Sequence, residues 1–188
     1  MSNKAGRIEI IVGPMFCGKS EELIRRLRRV MVAKLPMKVF KADLDKRYDE
    51  GDKISSHSRY AVDAVSVPVD DPFTMLGLID KNTQVVGIDE VQFFSPDIIR
   101  VCQYMVDAGI RVILSGLDMD YMAEPFGSIP TLMAIAERVD KLTSICTICG
   151  NEATRTQKLT SDGELVDVGN EDKYTARCVD HHSATPQK

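Results

Sequence analysis

The sequence predicts a doubly wound parallel α/β sheet followed by a small β-rich appendage. Three observations carry this. First, short β-branched runs alternate with stretches of helical period up to about residue 142. Second, Gly13 to Ser20 reads G-P-M-F-C-G-K-S, set between a strand pattern and a helix pattern. Third, past Thr143 the helical period disappears and two close pairs, C-x-x-C and C-x-x-H, take over. The division expected is 1–142 for the α/β unit and 143–188 for the appendage.

In chain order, "RIEIIV" is a β-branched run that breaks at Gly13-Pro14 and reads as a strand. From Lys19 to about Ala33, Leu23, Leu27 and Val30 recur at i, i+4, i+7, with Ile24 and Met31 widening the apolar stripe of a helix. The arginines of "RRLRR" at Arg25–Arg29 then fall on the opposite face, expected to be solvated or a subunit contact. "LPMKVFKAD" gives a second strand after Pro36. Asp43 to Ser58 is polar and aperiodic, and a loop that long in a compact domain is usually functional or disordered. "YAVDAVSV" reads as a strand, and "DDPFTMLGLID" as a short helix capped by Asp70 or Asp71. "TQVVGIDE" is a nearly continuous apolar run, as in a strand covered on both faces. "SPDIIRVCQYMVDAG" is a helix with Ser95 as N-cap and Gly109 past its end, and "IRVILSGLD" is the next buried strand. "SIPTLMAIAERVD" reads as a helix and "KLTSI" as a strand. The remaining stretch, about 45 residues, is too short to bury a core of its own without a staple.

Composition narrows the partners. The chain has 188 residues, 44% hydrophobic and 28% charged, with net charge -4, so bulk charge gives no reason to expect nucleic acid or an anionic membrane. The start "MSNKAGRIEI" lacks a signal-type apolar region and no apolar run approaches spanning length, so a cytoplasmic protein is expected. Five cysteines in that compartment favour metal binding or plain burial over disulfides. Cys102, mid-helix, is a core residue on this reading.

The chemistry begins at the glycine loop. Glycine admits left-handed backbone angles that turn successive N–H groups inward into an anion nest, and the following helix adds its positive end. Gly13, Pro14, Met15, Phe16, Cys17, Gly18, Lys19 and Ser20 thus form a phosphate cradle, with Lys19 as a charge for the β- and γ-phosphates of ATP and Ser20 as a Mg²⁺ ligand. Cys17 lies near a helix N-terminus, a setting that lowers thiol pKa values; redox sensitivity rather than catalysis follows from it.

"VVGIDE" puts Asp89 and Glu90 at the C-terminal end of a buried strand, the edge where open α/β sheets bind ligands. Asp89 is placed to hold Mg²⁺ or its water shell, and Glu90 to act as general base on a hydroxyl or a water. Phe93, Phe94 and Tyr121 follow on the same rim; one phenylalanine belongs to the core and the other can wall a planar ring. An alcohol acceptor makes a kinase; water makes an ATPase with a structural zinc ribbon. A nucleic-acid-binding zinc-ribbon protein fits poorly, because "SDGELVDVGNED" is acidic.

Cys146 and Cys149, then Cys178 and His181 after 28 intervening residues, have the spacing of a closed tetrahedral zinc site, which is structural because no ligand position stays open. His182 is an alternative fourth ligand. The metal supplies the staple that the appendage needs.

Together these features resemble the type II thymidine kinase family, over nearly the whole chain. The resemblance rests on "GPMFCGKS", "DKRY", "SSHSR", "DEVQFF", "GLDMDY", "PFGSIPTLMAIAERVDKLTSIC", the two Cys/His pairs and "DVGNEDKYTARC". It implies transfer of the ATP γ-phosphoryl group to the 5′-hydroxyl of thymidine or deoxyuridine, with Mg²⁺, and Glu90 as base. By the same resemblance Asp89, Glu90, Val91 and Gln92 belong to the nucleotide site, Asp45 helps position Mg²⁺, and Arg47 steadies the phosphates. Met15, Phe93, Leu117, Tyr121 and Thr156 match base-pocket positions, and Asp167, Val168, Gly169 and Tyr174 match a lasso over the nucleoside. Such enzymes are usually homotetramers inhibited by dTTP. Departures are Cys17 where many members have Ser, Tyr121 where Phe is common, and Asn170 where a second Gly is common.

Overall fold

The computed structural model describes residues 5–44, 53–55, 61–160 and 173–185. The chain opens with strand β1 (Arg7–Val12), helix α1 (Lys19–Val32) and strand β2 (Met37–Asp43). A short antiparallel pair follows, β3 (Lys53–Ser55) with β4 (Ala61–Asp63), and then β5 (Val65–Pro68). "YAVDAVSV" is therefore two strands, broken at Ala64: its first half pairs in the hairpin and its second half joins the main sheet.

Helix α2 (Thr74–Leu78) is shorter than the sequence suggests. Asp71 holds the Thr74 hydroxyl at 2.9 Å, but residues 72–73 turn before the helix begins, so neither Asp70 nor Asp71 caps it. Strand β6 (Val85–Asp89) leads through a 3-10 turn, Val91–Phe93, to α3 (Ile98–Asp107). Ser95 is not the side-chain cap of α3; its backbone carbonyl takes the Ile98 N–H at 3.0 Å instead. Gly109 leaves the helix at φ 82°, as a C-terminal glycine should.

Strand β7 (Arg111–Gly116) precedes α4 (Ile129–Ile135) and β8 (Arg138–Lys141). The sequence reading carried this last helix through Asp140. The structure ends it at Ile135 because β1 captures the chain: Glu137 N–H donates to the Ile8 carbonyl at 3.0 Å, and Ile8 N–H donates to the Glu137 carboxylate at 2.6 Å. Residues 138–141 then zip onto β1 in parallel register.

The six strands lie in the order β5-β2-β6-β7-β1-β8, every pairing parallel. Each face carries its own core. Ile8, Ile10 and Val12 of β1 face Cys102 and Met105 of α3 and Leu132 of α4, while Ile11 faces Leu23, Leu27 and Val30 of α1. That is the period-2 alternation of a sheet covered on both sides. Met31 does not widen the α1 stripe; it is exposed. Arg26, by contrast, is not on a solvated face: it is buried, in ion pairs with Glu9, Glu22 and Asp140.

Past the sheet the chain forms two antiparallel pairs, β9 (Ser144–Ile145) with β10 (Glu152–Ala153) and β11 (Arg155–Lys158) with β12 (Tyr174–Arg177). Among the described residues their apolar core holds Cys146, Ala153, Ala176 and Cys178. A cluster that small cannot offset the entropy of ordering the strands without a cross-link. No described helix is long and apolar enough to cross a membrane.

Candidate active site

The loop from Gly13 to Ser20 joins the C-terminal end of β1 to α1. Gly13 (φ 146°), Phe16 (φ 64°) and Gly18 (φ 82°) take positive backbone angles. Lys19 is buried at the first position of α1, and its ammonium donates to the Pro14 carbonyl at 2.7 Å. The lysine is thus folded back over the loop it anchors, a short swing from any anion the loop holds. Cys17 departs from expectation: burial pushes its thiol above the ordinary value, the Asp118 charge adds to that, and the nearby Lys19 charge offsets it only in part. A thiol raised this way is a poor nucleophile at neutral pH.

At the end of β6, two strands along from β1 across β7, Asp89 is buried and accepts the Glu90 N–H at 3.0 Å. Burial raises its pKa, and the Glu90 charge raises it further; the Ser115 and Ser20 hydroxyls and the Glu90 amide oppose the shift. Ser115 faces the carboxylate without closing a hydrogen bond of normal geometry. The Ser20 hydroxyl lies near enough to the Asp89 carboxylate to help hold its pKa down, which brings the glycine loop towards the acid pair. An oxygen pair of this kind fits a hard, oxygen-preferring cation such as Mg²⁺.

Glu90 takes a left-handed conformation, φ 54° and ψ 41°, at the start of the 3-10 turn that carries Val91 and Gln92. Its carboxylate accepts from the Gln92 amide at 2.6 Å. Gln92 is buried, and its amide oxygen takes the Leu117 N–H at 3.0 Å. Of the two phenylalanines that follow, Phe94 lies in the core and Phe93 meets Phe126 edge to face, ring centroids 5.5 Å apart. Tyr121 sits on a loop shaped by Asp120, whose carboxylate accepts from Met122 and Glu124 N–H groups at 2.8 and 3.0 Å. The ammonium of Lys158 lies 5.3 Å from the Tyr121 ring centroid, and His182 Nε2 meets the Tyr121 carbonyl at 2.9 Å. Thr156 is buried, its hydroxyl accepting the Met15 N–H at 3.0 Å, and Tyr174 is buried on the strand opposite Lys158. Asp45, Arg47, Asp167, Val168 and Gly169 lie outside the described residues.

Cys146, Cys149, Cys178 and His181 bring their donor atoms within 4.8 Å of one another. Cys178 Sγ lies 3.2 Å from His181 Nδ1, and Cys149 Sγ lies 3.8 Å from Cys178 Sγ. Gly150, at φ 76°, closes the first knuckle by donating its N–H to the Cys146 carbonyl at 2.9 Å. Three sulfurs and one imidazole nitrogen are the donor set of a closed tetrahedral zinc site. His182, the alternative donor, is instead engaged at Tyr121.

Three contributors escape sequence reasoning. Phe126 stands there only inside a longer quoted motif, with no role of its own. Lys158 is a polar residue of an alternating strand, with nothing to mark it as buried beneath an aromatic ring. Asp118 is buried and ion-paired with Lys141 at 2.8 Å, beside Cys17, and no spacing rule brings those residues together.

The thymidine kinase family model matches residues 6–182. A thymidine kinase of Bdellovibrio bacteriovorus is 47% identical over 176 residues, covering 94% of this chain and 85% of that one. Thymidine kinases of Deinococcus radiodurans and Deinococcus deserti are 45% and 46% identical, covering 91% and 96% of this chain and 87% and 96% of theirs. Among solved structures, the flagellar accessory protein FlaH of Methanocaldococcus jannaschii superposes with a TM-score of 0.51 at 13% identity, over 79% of this chain and 76% of that one; the likeness is one of fold alone. A match to the family model over nearly the full length, joined to a glycine loop and an acid pair on one sheet edge and a Cys/His cluster in the small unit beyond it, leads to one conclusion: this chain belongs to the thymidine kinase family.

Proposed function

We propose that the chain transfers the γ-phosphoryl group of ATP to the 5′-hydroxyl of thymidine, and of deoxyuridine, as a cytoplasmic nucleotide-salvage enzyme. The observation that carries this is the parallel register of β1, β7 and β6, whose C-terminal ends carry the glycine loop, Gly116 and the Asp89-Glu90 pair. It puts a phosphate-binding loop and a candidate base on one sheet edge.

On this reading backbone N–H groups of the glycine loop, from Phe16 to Ser20, and the Lys19 ammonium hold the phosphates. Ser20 and Asp89, with Asp45, hold Mg²⁺, which when bound neutralises charge between the β- and γ-phosphates. Glu90 takes the 5′-hydroxyl proton as the sugar oxygen bonds to the γ-phosphorus and the bond to ADP breaks. Arg47 would steady the phosphates, and Val91, whose side chain is buried in the core, would meet the nucleotide through its backbone alone. Met15, Phe93, Leu117, Tyr121 and Thr156 wall the thymine ring, and Asp167, Val168, Gly169 and Tyr174 close over it. Cys146, Cys149, Cys178 and His181 hold a structural Zn²⁺ that keeps unit 143–188 rigid against unit 1–142. A homotetramer, inhibited by dTTP, completes the proposal on family grounds.

The test is ADP release with purified protein, ATP and Mg²⁺, with and without thymidine. Release that requires thymidine, with dTMP formed in equal amount, supports the kinase. Equal release without nucleoside would make the chain an ATPase in which Glu90 activates water.

A further inference from the structure

The metal-type cluster and the phosphate loop meet at one side chain. Phe16 packs against the cluster of Cys146, Ala153, Ala176 and Cys178, the buried apolar core of the small unit among the described residues. Two of those four are metal-donor cysteines. The Phe16 carbonyl accepts the Ser144 hydroxyl at 3.1 Å, and one residue earlier Met15 N–H donates to Thr156 at 3.0 Å. At the loop's start Gly13 lies so close to Leu142 that a β-carbon would stand 2.5 Å from the Leu142 carbonyl oxygen. Leu142 N–H in turn donates to Val12 at 2.8 Å. The first half of the anion-binding loop is therefore clasped by residues beyond the main sheet, while its second half belongs to α1.

Phe16 holds a left-handed backbone at φ 64°, a conformation that is strained for a residue with a side chain. Such strain persists only where surroundings over-determine it. Here the packing of the half-buried ring on that cluster and the Ser144 hydrogen bond do so. A loop that binds phosphate through backbone N–H groups works best when its dihedrals are fixed before the ligand arrives.

We propose that Phe16 is a positioning residue that couples the Cys146/Cys149/Cys178/His181 cluster to the phosphate loop. Metal in the cluster orders the small core, the core fixes the Phe16 ring, and the ring sets the loop's backbone for ATP. The inference rests on the reading of the loop as an ATP phosphate site. Coupling of this kind is reciprocal: whatever factor the metal adds to ATP affinity, ATP adds to metal retention.

The experiment uses the full chain loaded with Zn²⁺, without nucleoside. A chromophoric zinc chelator follows metal release with and without a non-hydrolysable ATP analogue and Mg²⁺, and calorimetry gives the analogue's Kd. In the unaltered chain the analogue should slow zinc release about tenfold. In Phe16→Ala zinc is still taken up, the analogue's Kd rises about tenfold, and the protection disappears. Ser144→Ala, a milder change that keeps the ring, should shift both readouts in the same direction; it decides the matter if Phe16→Ala gives no cooperative melt. Analogue binding that leaves zinc release unchanged overturns the coupling alone, as do both variants with unaltered Kd and protection. No analogue binding by the unaltered chain overturns the phosphate-loop reading, and the coupling with it.

Discussion

Gln92 donates its side-chain amide to the Glu90 carboxylate at 2.6 Å while its amide oxygen takes the Leu117 N–H at 3.0 Å. One buried side chain thus ties the proposed base to the end of β7. Glu90 needs the tether, because its left-handed backbone leaves the carboxylate on a turn rather than on a strand. A base held within reach of its proton is worth more than a mobile one. Glu90→Gln should lower kcat by about 10² or more with ATP binding kept. Gln92→Met should lower kcat by about tenfold and leave the ATP KM within about twofold, since it removes orientation and not the base. Steady-state kinetics check both; an unchanged kcat in Gln92→Met would release Glu90 from this tether.

Gly116 should reproduce that defect from the opposite side. A β-carbon there would lie 2.6 Å from Gln92 Oε1, 2.9 Å from Ile129 Cδ1 and 3.0 Å from Val91 Cγ1. Gln92 is the polar one of the three, so it must give up either Leu117 or Glu90. Gly116→Ala is expected to lower kcat by about tenfold and stability by about 1–3 kcal/mol through overpacking. Full activity with normal melting would show that Gln92 has room that the structure does not give it.

Tyr121 is gripped at both ends, by the Lys158 ammonium at its ring and by His182 at its carbonyl. Both grips come from the small unit, so the ring's place in the proposed base pocket depends on that unit. Lys158→Met keeps the side chain's bulk and removes the charge. The thymidine KM should rise about threefold to tenfold, the cost of a partly desolvated cation–π contact, with the ATP KM little changed. Equal rises in both constants would point to general loosening of the fold instead.

The legible parts of this protein were those governed by local rules. The strands β1, β6 and β7 announce themselves as apolar runs, and α1 as an apolar stripe, because burial imposes their periods. The glycine loop and the Cys/His spacing were legible because backbone geometry and metal coordination fix residue type and interval together. The end of α4 was not, since "ERVD" suits a helix and only the edge of β1 turns it into a strand. Cys17 misled for a similar reason. Its position beside a helix terminus is local, but the burial and the Asp118 charge that raise its thiol come from the rest of the fold. The grip of Lys158 on Tyr121 and of Thr156 on Met15 joins residues 37 and 141 positions apart in sequence, so neither leaves a trace in any window.

The arginine run illustrates the same limit and yields an acid-stability prediction. Arg26 turns inward, where it shares Glu9 with Arg7 and Arg111 and reaches Asp140 at 2.7 Å. Burial raises the Glu9 pKa, but hydrogen bonds from Arg111 and Arg7 outweigh it and hold the carboxyl at about 2. The Arg25 hydrogen bond, opposed by burial and joined by Arg26, holds Glu22 at about 2; Arg138, opposed by burial and joined by Arg26, does the same for Asp140. Carboxyls lowered on folding give stability that is fully present above their unfolded values, about 4. That stability is lost as pH falls from there towards 2. The melting temperature should therefore stay nearly level from neutrality to about pH 5 and drop steeply below about pH 4. Glu9→Gln leaves the buried Arg26 facing two further guanidinium groups without their central acid. It should cost about 3 kcal/mol at neutral pH and shallow the acid limb, because the group that titrates is gone. Melting curves of both chains from pH 7 to pH 2.5 provide the measurement. An acid limb equally steep in the variant would place the titrating carboxyls elsewhere than at the heart of this network.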